Sequence, residues 1–200
     1  PMNPPEPPAR GTEVPAPQPP GRSAPAAALP GPGLPDAEAL VAELADRMRA
    51  AVAHDACFVG IYSGGAWLAE RLPARVRGDH PVGYVGVSFD RDDFAAKGLK
   101  PEVKSTRLPF DVAGATIVLV DDVLCTGRSV RAAINELFDF GRPAVIELAV
   151  LVDRGGRELP IEATYVGTRL AVGRGLSVVL SRADDGSLTL ATEASADAGR

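Results

Sequence analysis

The stretch TIVLVDDVLCTGRS, residues 116–129, is a continuous apolar run that stops at two acids and then enters a turn of small residues. Downstream, Val130, Ala133, Ile134 and Leu137 recur at helical spacing as far as Phe140, and Gly141 and Pro143 end the pattern. Residues 145–152 are a second continuous apolar run. Apolar strand, amphipathic helix, apolar strand is the sequence of a parallel sheet covered on both faces, so the fold class is α/β, with four or five strands expected.

The pattern extends in both directions. Asp36 is placed to cap a helix over 36–53, along which Leu40, Val41, Leu44, Met48 and Val52 form one apolar face, with His54 at its end. A short strand over 57–62 runs into Ser63, Gly64 and Gly65, then a helix whose inward face takes Trp67, Leu68 and Leu72. Residues 82–89 read as extended, and 90–109 as a charged, turn-rich segment expected to form an active-site lid or a two-stranded arm. After Asp153 come short strands near 163–166, 176–180 and 187–191, expected as edge additions or a small hood.

Thirteen of the 19 prolines fall within residues 1–35, among alanine and glycine. Such a segment has few side chains able to offset the entropy of ordering, so 1–35 is expected to be a disordered extension, 36–193 the folded domain and 194–200 a frayed end. The extension is neutral, and the net charge of −5 belongs to the remainder, which argues against a broad nucleic-acid surface. Cys57 and Cys125 are too few for a disulfide scaffold, and no run of residues resembles a signal or a membrane span. A cytoplasmic protein is expected.

Asp121 and Asp122 close the central strand, where open α/β sheets place their ligand crevice. Thr126, Gly127, Arg128 and Ser129 offer backbone N–H groups and two hydroxyls at a helix start, which suits a phosphate, and the carboxylates suit sugar hydroxyls or hydrated Mg2+. There is no G-x-G-x-x-G and no lysine after the glycine, so neither large nucleotide-binding class is supported. Cys125 and Arg131 have the spacing of a cysteine phosphatase, but the two acids upstream oppose a thiolate and a phosphate dianion. His54, His80 and the two cysteines are too scattered for a metal cluster.

The block VLVDDVLCTGRS resembles the phosphoribosyl-pyrophosphate (PRPP) motif of type I phosphoribosyltransferases. With GRPAVIELAVLVDRGGRELPIEATYVG and FDRDD, the chain is similar to the pyrimidine operon attenuator and uracil phosphoribosyltransferase family, over roughly residues 40–190. The resemblance implies the type I fold with a flexible loop, transfer of ribose 5-phosphate from PRPP to uracil to give UMP, Mg2+ dependence, a homodimer and, in some members, RNA binding. It assigns Asp121 and Asp122 to ribose and metal, Thr126, Gly127, Arg128 and Ser129 to the 5-phosphate, Ser63, Gly64 and Gly65 to pyrophosphate, Arg91 to the catalytic loop, and Asp153 to the metal side.

Three positions depart from that pattern. Gly64 stands where the family has arginine, Gly156 where it has histidine, and Ser88, Phe89 and Asp90 replace the usual approach to Arg91. A lost guanidinium at residue 64 removes a charge-assisted contact, so arginine restored there is expected to raise turnover. The alternative is a weakly active or inactive PRPP- or nucleotide-binding regulator. The acidic balance counts against RNA attenuation.

Overall fold

The computed structural model describes residues 33–87, 105–173 and 175–194. Its central element is β3 (Thr116–Leu124), flanked by β1 (Cys57–Ile61) and β4 (Val145–Asp153), with β2 (Val82–Val85) and β5 (Tyr165–Arg169) at the edges. The order is β2-β1-β3-β4-β5 and every pairing is parallel. The acids do not end the central strand: β3 continues through Val123 and Leu124, and Asp121 pairs in register with Val150.

Alternation along the strands sorts the core into two layers. Phe58, Val118, Val120, Ala149 and Leu151 face α1 (Ala37–Met48) and α2 (Gly64–Ala69), and the partly buried Trp67 packs into this layer. Val59, Ile61, Ile117, Leu119 and Val150 face the other way, onto Val130, Ala133 and Leu137 of α3 (Arg128–Phe140). Asp36 caps α1 as its position predicts, accepting from Ala39 N–H at 2.7 Å.

That helix stops at Met48, short of residue 53, so His54 lies beyond it rather than at its end. Buried Val52 keeps the apolar pattern going without the helix, in a turn in which it donates to Met48 O. The second histidine has a structural place: the His80 ring is buried, edge-on to Phe58, with its nitrogens 2.9 Å from Ala56 O and Arg77 O.

The last strands do not extend the sheet. β6 (Leu176–Arg182) and β7 (Leu188–Ala194) form a separate antiparallel ribbon, whose Val178, Leu180, Leu188 and Leu190 join the α1 layer. Glu38 of α1 takes both an Arg71 nitrogen and Leu188 N–H, while Arg71 also donates to Gly186 O, so one ion pair ties α1 and the segment that follows α2 to the ribbon. Ala194 belongs to β7, one residue into the segment expected to fray. Residues 1–32 and 195–200, which hold most of the expected extension and end, lie outside the described residues. No helix among the described residues is long and apolar enough to cross a membrane.

Candidate active site

The strand order reverses between β1 and β3: the chain passes outward from β1 to β2, returns to β3 and continues to β4 and β5. A crevice outside the carboxyl ends of the two central strands is the expected consequence. The turn Ser63-Gly64-Gly65 leaves β1 there, and the segment 121–129 leaves β3 beside it.

The adjacent aspartates point to opposite layers. Asp121 continues the side of Ile117 and Leu119, is 4% exposed, and accepts from Asp122 N–H at 3.0 Å. It lines a depression of about 60 Å³ with Thr126, Gly127, Ser129 and Val130. Asp122 continues the side of Val118 and Val120, and meets Gly64. A Cβ built on Gly64 would overlap the Asp122 carboxylate and stand 2.7 Å from its Cβ. One built on Gly65 would overlap Val120 O and stand 3.0 Å from Asp121 Cα. The glycine pair thus lets the start of α2 rest directly on β3.

At the other turn Gly127 has φ of 89°, a left-handed conformation that glycine adopts without strain, and it opens α3. Thr126 Oγ1 accepts from Arg128 N–H at 3.3 Å. The Arg128 guanidinium is turned outward onto Glu158 at 2.5 Å, so this residue can serve a ligand at the turn through its backbone. Arg131 is exposed further along the helix, and Cys125 Sγ lies beside Gly156, where a Cβ would be 3.4 Å away. A thiolate flanked by a phosphate-clamping arginine is not what this geometry presents.

Asp153 has partners of its own. Its Oδ1 accepts from Gly155 N–H at 3.0 Å and its Oδ2 lies 2.8 Å from Arg157 Nη2. Burial alone would raise this carboxyl, but the Gly155 N–H and the Arg157 guanidinium outweigh it and hold it below the usual carboxylate range. It pairs with Arg157, and Arg169 Nε stands 3.8 Å from the same oxygen. Arg157 lies in the DRGGRELP stretch that the family resemblance places near the base and metal side of the site, but nothing in that stretch assigns it a partner on the 124–127 turn.

The site's other border is the base of the segment expected as a lid. Tyr84 and Arg107 exchange backbone hydrogen bonds at 2.8 Å, and Thr106 Oγ1 accepts from Gly86 N–H and donates to Glu136 at 2.6 Å. Tyr62 stacks on Tyr84 with centroids 5.5 Å apart. Arg91, with Asp92, Asp93, Lys97, Lys100 and Lys104, lies outside the described residues. A larger cavity, about 420 Å³, is lined by Arg47 and residues of the β5 edge and includes none of the crevice residues.

Comparison with known proteins places this geometry. A model of the phosphoribosyl transferase domain matches residues 34–176. Bifunctional protein PyrR of Ralstonia nicotianae is 53% identical over 156 residues, 76% of this chain and 89% of that protein. Bifunctional protein PyrR of Pseudomonas aeruginosa is 47% identical over 145 residues, 70% and 85% of the two chains. Among solved structures, a hypoxanthine-guanine phosphoribosyltransferase from Bacillus anthracis superposes with a TM-score of 0.54 at 18% identity, covering 68% of this chain and 79% of that one. A hypoxanthine phosphoribosyltransferase from Staphylococcus aureus gives 0.52 at 22%, covering 69% and 75%. At these identities the structural likeness speaks for the fold: a central parallel sheet of the type I phosphoribosyltransferase kind.

Proposed function

The chain belongs to the phosphoribosyl transferase domain family, and on that premise we propose that it is a uracil phosphoribosyltransferase, converting uracil and PRPP to UMP and pyrophosphate. The observation that carries this reading is the meeting of three features at one strand-order reversal: Gly64 on Asp122, Asp121 beside the 126–129 turn, and that turn opening α3.

In this reaction uracil N1 bonds to C1′ of the ribose as the bond to pyrophosphate breaks, and the N1 proton is lost. Positive charge develops on the ribose ring, so the protein's task is to hold both reactants in line and stabilise that charge. In the proposed arrangement Thr126, Gly127 and Ser129, with the Arg128 N–H, hold the 5-phosphate. Asp121 and Asp122 hold ribose hydroxyls and supply negative charge beneath the ring. Ser63, Gly64 and Gly65 present the turn that meets pyrophosphate, and Arg91 is assigned to the leaving group from the family resemblance.

The donor set fits Mg2+. The carboxylates of Asp121 and Asp122 are oxygen donors of the kind a hard cation takes while keeping water and substrate phosphates for the rest of its shell. Asp121 and Asp122 would hold it, and when bound it neutralises pyrophosphate charge. Asp153 goes with Arg157 instead of the metal. The homodimer and the cytoplasmic location are part of the same proposal, from resemblance and composition.

The test is PRPP- and Mg2+-dependent conversion of labelled uracil, with guanine, hypoxanthine and orotate in parallel. Turnover of uracil that vanishes in Asp122→Asn supports the assignment. Saturable PRPP binding with no product from any base overturns the enzyme and leaves a nucleotide-binding regulator.

A further inference from the structure

Between β4 and β5 the chain runs around the turn that joins β3 to α3, and one side chain sits at the centre of that collar. Arg157 Nη1 donates to Cys125 O at 3.0 Å and reaches Leu124 O at 3.5 Å, its Nε donates to Ile161 O at 2.9 Å, and its Nη2 is held by Asp153 at 2.8 Å. The side chain is 24% exposed. Backbone groups complete the collar: Arg154 N–H donates to Leu124 O at 3.1 Å, and Glu158 and Leu159 N–H donate to Thr126 O at 3.0 and 3.1 Å. Gly127 O accepts from Arg131 N–H inside the helix.

Every backbone carbonyl from Leu124 to Gly127 is therefore directed at the collar or the helix. A turn can receive an anion on its N–H groups only if its carbonyl oxygens, each a partial negative charge, are aimed elsewhere and kept there. Cys125 O has Arg157 as its donor, and the bond is charge-assisted. The carbonyl is thus held by a side chain from a different segment, not by the regular pairing that fixes its neighbours.

We propose that Arg157 is a positioning residue for the 5-phosphate: it does not touch the substrate, but fixes the polarity of the 124–127 turn and so sets the affinity for phosphate-bearing substrate. The inference rests on the assignment of residues 126–129 to that phosphate. Asp153 is its partner, orienting the guanidinium so that Nη1 reaches two successive carbonyls while Nε holds Ile161 O.

The test compares Arg157→Gln, Arg157→Lys and Thr126→Val in the full chain by PRPP binding in the presence of Mg2+, by steady-state kinetics, and by amide hydrogen exchange. Arg157→Gln should weaken PRPP binding about tenfold, with KM for PRPP rising more than kcat falls and KM for uracil little changed. Arg157→Lys, able to hold one carbonyl but not the fork, should recover part of that loss. Amides at 126–129 should exchange faster in Arg157→Gln while those of β4 stay protected, a local change that general destabilisation would not give. If Arg157→Gln fails to fold, the partial loss in Arg157→Lys carries the test.

Unchanged PRPP affinity in a folded Arg157→Gln, alongside a clear loss in Thr126→Val, overturns the positioning role and leaves the phosphate turn in place. No PRPP binding by the unmodified chain, or no effect of Thr126→Val, overturns the underlying assignment and the role together. A uniform loss of exchange protection across the sheet also overturns it, because Arg157 would then be a general stabilising residue.

Discussion

Gly64 rests against the carboxylate of Asp122 with no room between them for a single methyl group. The position the sequence presents as a missing guanidinium is thus a point of contact between the two turns of the site, and arginine there has to displace the acid assigned to the ribose. Gly64→Ala should lower kcat/KM for PRPP about tenfold or more, and Gly64→Arg should lower it further instead of restoring activity. Steady-state kinetics on both variants, with circular dichroism to confirm folding, checks this; a rate above that of the unmodified chain in Gly64→Arg contradicts it.

Thr126 and Ser129 flank the turn beside Asp121. Removing one hydroxyl from a phosphate removes a hydrogen bond worth about 1–1.5 kcal/mol, so Ser129→Ala should raise KM for PRPP about five- to tenfold. The same change should leave the thermal midpoint nearly unmoved, since Ser129 is on the first turn of α3 and outside the apolar core. Parallel kinetic and melting measurements separate the two effects.

Glu38 is held below the usual carboxylate range, first by its hydrogen bonds from Arg71 and then by Leu188 N–H. A depressed carboxyl favours the folded state above its unfolded pKa, and that contribution disappears as pH falls through the lower folded value. The helix-to-ribbon tie should therefore weaken in acid. Glu38→Gln should cost about 0.5–1 kcal/mol near neutrality, a modest figure because the pair is partly exposed and screened. Its stability should also depend less on pH between about 5 and 3, as urea titrations across that range would show.

Tyr165 is buried and donates to Glu147 at 3.0 Å, and burial followed by that carboxylate pushes its hydroxyl up to about 12. Its contribution to stability is complete below the unfolded value near 10 and is lost as pH rises towards the folded value. Absorbance titration of the phenolates should show Tyr165 ionising last, with burial delaying Tyr62 and Tyr84 as well. In Glu147→Gln the late transition should move to lower pH.

The central part of this fold is legible because its sequence is locally consistent. Residues 116–152 combine apolar strands, a glycine turn and a 3.6-residue pattern that all demand the same parallel unit, and β3, α3 and β4 form where those signals lie. The acids did not mark the strand end, since ladder pairing with β4 continues to Leu124 irrespective of side-chain polarity. The strands after Asp153 are left open between edge additions and a small hood because alternation gives a strand's faces and not its partner; β5 joins the sheet edge, and burial against α1 sets β6 and β7 apart as a ribbon. In the site, the residues that carry charge or a hydroxyl stand out in sequence. Arg157 stands in a stretch that matches the family, yet its contact with the turn is not legible, because it bonds carbonyls of residues more than thirty positions away and no local pattern encodes that distance.

The paired backbone bonds between Tyr84 and Arg107 give the chain an exit and a re-entry at one spot beside the crevice. Closing a longer excursion costs little, about 0.6 kcal/mol for each doubling. With its two ends tied there, the stretch between can change in length at little cost to the geometry of Asp121, Asp122 and the 126–129 turn, while the role proposed for Arg91 fixes what it must still carry.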